Sequence, residues 1–225
     1  MTALKKEYPS SIGIDETVTE MLNILEEGIG ESVYRACKIL KRGGIIAYPT
    51  DTIYGLGVDP EISHAVERLY ELKERSEEKS VSLMFSGKEM LYQHFRDVSP
   101  LEKRAIDNLL PGAITIVLNN PADKIYPNET VGVRIPNKDF CRKLVEVYGK
   151  PITTTSVNKS GMPPAMSAFE VKTYFTDKID LILDGGELSQ SEGSTVIRIN
   201  NENVEILRQG VLTEAEIMEL INDNG

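Results

Sequence analysis

Cysteine, histidine and tryptophan are nearly missing from this sequence, and each scarcity narrows what it can be. Its 225 residues include two cysteines, two histidines and no tryptophan. Cys37 and Cys141 stand far apart and in no metal-ligand spacing, which rules out a disulfide framework and makes a reducing cytoplasm the expected location. His64 and His94 cannot supply a His-rich metal centre. With no carboxylate at a telling spacing, they read as helix-surface residues rather than catalysts. No apolar run approaches the roughly 18–20 residues that a membrane helix needs. The opening MTALKKEYPSS has no apolar stretch after its lysines, so neither a secretory leader nor a membrane association is expected.

Several catalytic signatures are absent too. No G-x-x-x-x-G-K-[ST] loop occurs, which argues against P-loop phosphate binding. Gly55-Leu56-Gly57 lacks the third glycine of a dinucleotide fingerprint. There is no G-x-S-x-G elbow. Ser76–Lys79 and Ser156–Lys159 fit S-x-x-K, but no S-D-N or K-T-G accompanies them.

Basic residues are also in short supply: 25 against 35 acidic ones, a formal charge of -10. The acidic excess sits at the ends. Residues 1–30 carry two basic and six acidic side chains, and residues 170–225 carry four and twelve, whereas residues 31–169 carry nineteen and seventeen. That balance argues against broad nucleic-acid coating, where phosphate neutralisation dominates affinity. It leaves room for a local basic pocket holding a small anion.

What is present suits a soluble α/β domain, with 40% hydrophobic and 27% charged residues. Helical spacing runs over Thr17–Glu27, stopped by Gly28 and Gly30, and again over Glu31–Lys41. Ser63 is placed to cap a helix reaching Arg75. Ser99 with Glu102, Ser167 with Glu170, and Thr213 with Glu216 form capping boxes, and a helix from Asn137 to Tyr148 stops at Gly149. Strands are expected at Ile45–Tyr48, Val81–Phe85, Ala113–Leu118, Thr130–Ile135, Ile152–Ser156, Ile179–Leu183, Thr195–Ile199 and Val204–Leu207. The interleaving predicts one largely mixed sheet flanked by helices.

Four regions are too polar or glycine-bound for their positions. PTDTIYGLGVD follows a buried strand with hydroxyls and bare backbone, which suits a ligand at a strand end or a tight turn. Lys73 and Arg75 at a helix end pair an ammonium with a guanidinium, as phosphates favour, although cations there also complement the helix dipole. TTTSVNKSGMPPA runs from a strand into hydroxyl and amide groups suited to an anion, or into a solvent-facing loop. GSTVIRI and ILRQG set Ser194 and Arg208 at strand ends, where an arginine is more often a surface ion pair. Arg134 interrupts the otherwise buried TVGVRIP strand and needs an anion, either a protein carboxylate or a substrate group.

In order and spacing, GGIIAYPTDTIYGLGVD, Lys73-x-Arg75, LLPGAITIVL, TVGVRIP, TTTSVNKSGMPPA, STVIRI and ILRQG resemble the YrdC/TsaC family of threonylcarbamoyl-AMP synthases. The resemblance covers roughly residues 31–211. It implies a single twisted α/β domain whose sheet curves around a central, positively lined cavity. It also implies synthesis of threonylcarbamoyl-adenylate and pyrophosphate from L-threonine, bicarbonate and ATP, with Mg²⁺ on the triphosphate. Partner transferase proteins would use the product to modify adenosine 37 of tRNA, with weak or no direct tRNA binding by this chain. By the same resemblance, Lys73, Arg75, Thr130, Ser156, Asn158 and Arg208 are the expected ATP contacts. Thr52, Arg134, Thr154 and Ser194 fall on the threonine side. Residues 1–30 are left as an acidic helical extension, and residues 212–225 as a C-terminal helix packed on the same domain.

The chain departs from the family pattern at two places. Ser76 and Ser80 stand where prolines are usual, and Met84-Phe85 replaces a histidine carried by many members near the threonine. A YciO-like paralogue with another acceptor shares divergence in this region, while SVNKSGMPPA keeps the synthase form. A non-enzymatic RNA-binding module is the alternative of another class, and the charge of -10 argues against it.

Overall fold

The computed structural model describes residues 18–74, 81–121, 129–159, 161–200 and 203–223. Arg75, Ser76, Ser80, Ser160 and residues 1–17 lie outside the described residues. In chain order the elements are β1 (Glu20–Asn23), α1 (Ile24–Lys41), β2 (Ile46–Pro49), β3 (Tyr54–Gly57), α2 (Ser63–Leu72), β4 (Ser82–Met84), α3 (Lys88–His94) and α4 (Pro100–Leu109). There follow β5 (Ile114–Asn119), β6 (Thr130–Arg134), α5 (Asp139–Tyr148), β7 (Ile152–Ser156), α6 (Ala168–Phe175), β8 (Leu181–Asp184), β9 (Thr195–Asn200), β10 (Asn203–Arg208) and α7 (Glu214–Asn222).

The strands form one mixed sheet in the order β1-β8-β2-β3-β7-β4-β6-β5-β9-β10. Pairing is parallel at β1–β8, β8–β2, β4–β6 and β5–β9. It is antiparallel at β2–β3, β3–β7, β7–β4, β6–β5 and β9–β10.

Strand alternation sorts the apolar side chains into two clusters on opposite faces. Ala47 of β2 joins one cluster, and Ile46 and Tyr48 join the other. The first packs α2, α3, α4, α6 and α7 onto the sheet, through residues such as Leu69, Leu91, Ile106, Phe175 and Ile217. The second packs α1 and α5, through Val33, Leu40, Phe140 and Leu144. Its strand members come from β1, β8, β2, β7 and β4, and none comes from β6, β5, β9 or β10. Part of that second face therefore carries no apolar cover, and this is where the site lies.

Local chemistry sets the element ends. Ser99 and Glu102 cap α4 reciprocally, with Pro100 at its first position, and Thr213 and Glu216 do the same for α7. Gly149 closes α5 at φ 84°, a conformation that favours glycine. At α6, Ser167 accepts from the Glu170 amide, while the Glu170 carboxylate turns to the Met166 amide, so only half the expected box forms.

Three expectations are corrected. The stretch Thr17–Glu27 is not one helix: Glu20–Asn23 pairs in parallel with β8, and α1 begins only after Asn23, whose side chain accepts from the Leu25 and Glu26 amides. Residues 20–30 are thus built into the sheet and its first helix rather than appended to them. The helical spacing was also a sheet-edge pattern: Leu22 points inward, while Met21 and Leu25 stay exposed. Ser63 is the first residue of α2 rather than its cap, and Ile62 in the cap position offers no side-chain acceptor. Finally, YGLG, read as part of the polar turn region after the first strand, forms β3, and only the four residues 50–53 make the loop. A Cβ on Gly57 would stand 2.9 Å from Tyr48 Cε1, so only bare backbone fits beneath that ring. Glycine here serves packing.

Candidate functional site

A pocket of about 280 Å³ opens on the uncovered part of the sheet. Alternate residues line it on three strands, Thr130, Gly132 and Arg134 of β6, Thr115 and Val117 of β5, and Val196 and Arg198 of β9, joined by Ser82 of β4 and by Thr154, Thr155 and Ser156 of β7. Thr50, Gly55, Ser194 and Arg208 complete much of the wall. The intervening residues Ile114, Ile116, Leu118, Val131, Val133 and Ile197 sit in the core on the other face. The period of two that builds the core thus also builds the site, since polar side chains occupy the face without a helix. Gly132 keeps the floor open: a Cβ there would lie 2.6 Å from Ser82 Oγ and 2.9 Å from Thr115 Cγ2. Among the described residues, the lining holds three arginines and no carboxylate. It is locally basic within an acidic chain, a contrast that draws anions into a low-dielectric cleft.

At one end of this wall, β7 runs into Ser156. Lys73, just beyond α2, is only 5% exposed. Its ammonium donates to the Ser156 carbonyl, to Ser156 Oγ at 3.4 Å and to Asn158 Oδ1 at 3.2 Å. Ser156 Oγ donates to Asn158 Oδ1 at 2.6 Å, and Asn158 Nδ2 donates to the Met162 carbonyl at 2.7 Å. These bonds fix a buried ammonium at the end of the pocket wall, where charge-assisted bonds to an anion are strong.

Arg134 sits further along the same wall with its side chain 7% exposed. Its Nη2 lies 2.8 Å from Asp51 Oδ1 and donates to Thr52 Oγ1 at 3.4 Å, while its buried Nε has no partner among the described residues. Asp51 Oδ2 in turn accepts from the Asn137 amide at 2.9 Å. Of the two anions that the sequence left open, a protein carboxylate is therefore present. The guanidinium still keeps an unused donor for a second anion. Asp51 and Thr52 are held by the β2–β3 loop: Thr50 Oγ1 donates to the Ile53 carbonyl and accepts from the Thr52 and Ile53 amides. Of the two readings of this segment, the tight turn is present at residues 50–53.

On the β9–β10 side, Arg208 Nη2 donates to the Ser194 carbonyl at 2.7 Å and lies 3.3 Å from Ser194 Oγ. Ser194 Oγ is 2.9 Å from Thr115 Oγ1. Of the residues that the sequence singles out, Thr130, Arg134, Thr154, Ser156, Ser194 and Arg208 line one pocket. Lys73 and Asn158 join it through Ser156, and Thr52 joins it through Arg134. Arg75 falls outside the described residues. His64 and His94 are not in the lining; His94 stacks edge-on against Phe85.

Sequence reasoning missed Asp51, Thr115 and Arg198. The signal for the last two was available, because each is a polar residue inside an apolar strand, the pattern that drew attention to Arg134. Among the described residues, no group of three or more His, Cys, Asp or Glu is placed to hold a metal ion. No described helix is long and apolar enough to cross a membrane.

The chain matches the Sua5_yciO_yrdC family model, described as telomere recombination, over residues 38–210. It is 36% identical over 172 residues to a threonylcarbamoyl-AMP synthase of Klebsiella pneumoniae, covering 72% of this chain and 90% of that protein. It is 31% identical over 212 residues to a threonylcarbamoyl-AMP synthase of Pyrococcus abyssi, covering 92% of this chain but only 62% of the longer relative. A crystal structure of P. abyssi Sua5 complexed with L-threonine superposes with a TM-score of 0.81 at 30% identity, covering 92% of this chain and 61% of that one.

Proposed function

The chain belongs to the Sua5/YciO/YrdC family, and from that membership we propose that it is a threonylcarbamoyl-AMP synthase. In this reading it converts L-threonine, bicarbonate and ATP to threonylcarbamoyl-adenylate and pyrophosphate. The product then serves partner transferases that modify adenosine 37 of tRNA in the cytoplasm. The observation that carries the reading is the junction of an ammonium–hydroxyl–amide cluster (Lys73, Ser156, Asn158) with a basic pocket holding a partly free buried arginine.

The chemistry divides along that junction. Lys73, Ser156 and Asn158, with Arg75, Thr130 and Arg208, take the nucleotide. Adenylation moves negative charge from the α-phosphate to departing pyrophosphate, and fixed cations at that charge lower the barrier without a covalent enzyme intermediate. Mg²⁺ enters as part of the substrate, on the triphosphate, where it neutralises phosphate charge. Arg134 offers its unused Nε to the threonine carboxylate, and Thr52, Thr154 and Ser194 line the same side. A pocket near 280 Å³ suits an amino acid and its carbamate better than a whole nucleotide, so ATP must extend beyond it toward Lys73. Holding the labile carbamate beside the α-phosphate replaces a bimolecular encounter with an intramolecular one. The acidic net charge fits weak or no direct tRNA binding.

One observation favours a second reading. Met84 is fully buried and pairs in register with Arg134, where many relatives would place a histidine. A YciO-like paralogue with a different acceptor amine would also tolerate that exchange. Pyrophosphate release from ATP and bicarbonate, measured with threonine and with a panel of other amino acids, separates the two. Strong threonine dependence supports the synthase, and turnover indifferent to threonine removes it.

A further inference from the structure

Three arginines line the pocket, and their partners differ. Arg134 has Asp51, and Arg208 has the Ser194 carbonyl. Among the described residues, the Arg198 side chain makes no hydrogen bond or ion pair, and its Nε is buried without a partner. It projects from the middle of β9, flanked by the core residues Ile197 and Ile199 on the opposite face. Its register partners are Val117 on β5 and Glu205 on β10. Val117 offers no acceptor. The Glu205 carboxylate instead accepts from Asn200 Nδ2 at 2.9 Å and makes no ion pair among the described residues. A guanidinium carries five donors and stays charged, so leaving it in a partly desolvated wall with no anion opposes folding. Such a group is retained where a ligand supplies the missing charge.

We infer that Arg198 is a further binding residue of this pocket and that it takes a phosphate group of the ligand. The choice of phosphate follows from the layout. Arg134, two strands away on β6, already faces the side assigned to the amino-acid carboxylate. Arg198 stands two residues along β9 from Val196, whose register partner is Arg208, and shares with Arg208 the wall assigned to the nucleotide. A forked guanidinium there makes paired, charge-assisted bonds to phosphate oxygens. This inference rests on the nucleotide reading of the pocket for the identity of the natural ligand. Its physical content is narrower: Arg198 is held ready for a phosphate.

The test compares wild-type protein with Arg198→Met, which keeps the stem's packing and removes the charge. Affinities are measured by calorimetry for ATP, adenosine and inorganic pyrophosphate, together with the melting temperature. Loss of charge-assisted bonds predicts about ten- to hundred-fold weaker binding of ATP and pyrophosphate, with adenosine affinity unchanged. Tm should hold or rise, because a charge without a partner has been removed; a structural ion-pair role would lower it. Unchanged ATP and pyrophosphate affinity in Arg198→Met overturns the inference, as does a falling Tm with equal weakening of adenosine. If wild type binds pyrophosphate but not ATP, the synthase reading fails, while a selective loss in the variant still upholds Arg198. If wild type binds neither, both fail.

Discussion

Asp51→Asn is the perturbation in which stability and ligand binding should move in opposite directions. Asp51 and Arg134 form an ion pair at 2.8 Å with side chains 10% and 7% exposed, so little solvent screens either charge. Removing one partner of a buried pair leaves the other uncompensated, at a typical loss of about 3–5 kcal/mol. Asparagine still offers an oxygen to the Asn137 amide or to Arg134, which places the expected loss near the lower figure, about 3 kcal/mol. For a chain of this size that is a fall in Tm of about 6–12 °C. The same change removes a negative charge that opposes a second anion at the Arg134 Nε. The variant should therefore bind L-threonine more tightly than wild type, and saturating threonine should restore much of the lost Tm. Thermal melts with and without threonine, alongside calorimetric titration, read both quantities. A destabilised variant with weaker threonine binding would refute the idea that the Asp51 charge opposes the substrate carboxylate at Arg134.

Other perturbations report on separate parts of the molecule. Lys73→Ala should cut pyrophosphate release at least 100-fold in steady-state assays while the far-ultraviolet circular dichroism stays native; near-normal turnover would remove Lys73 from the nucleotide site. Gly132→Val places branched carbon where Ser82 Oγ and Thr115 Cγ2 already stand within 2.6 and 2.9 Å of a Cβ. It should destabilise by about 1–3 kcal/mol and abolish ligand-induced shifts in Tm; retained binding would show that the floor of the pocket lies elsewhere. Both thiols should resist iodoacetamide at pH 8 until the protein unfolds. Burial pushes the Cys141 thiol up to about 12 and also raises that of Cys37, so each stays protonated well above neutral pH. Rapid labelling of native protein would contradict that packing.

How far the sequence discloses this molecule depends on where its period is unambiguous. Long amphipathic runs bounded by chemical stops, such as Asp139–Tyr148 with Gly149 or Pro100–Leu109 with its capping box, are legible to within a residue or two. β7 is legible to the residue. Thr17–Glu27 misled because four residues of strand at a sheet edge carry apolar side chains at spacings a helix would also use. β3 was hidden because YGLG has the composition of a turn; its glycines answer to the Tyr48 ring, a tertiary fact. The site divides in the same way. Lys73, Ser156 and Asn158 were recognisable as a group through family resemblance and do meet. Asp51 was not, because its role depends on a loop folding back onto β6, 83 residues away in sequence.

The account rests on a single basic hollow shared by nucleotide and amino acid. A crystal structure of the protein soaked with a non-hydrolysable ATP analogue and L-threonine tests this most directly. The expected result places phosphate oxygens against Lys73, Ser156 and Asn158, with the threonine carboxylate on Arg134 and its amine turned toward the α-phosphate. Nucleotide density on another surface, or threonine bound away from Arg134, would contradict it.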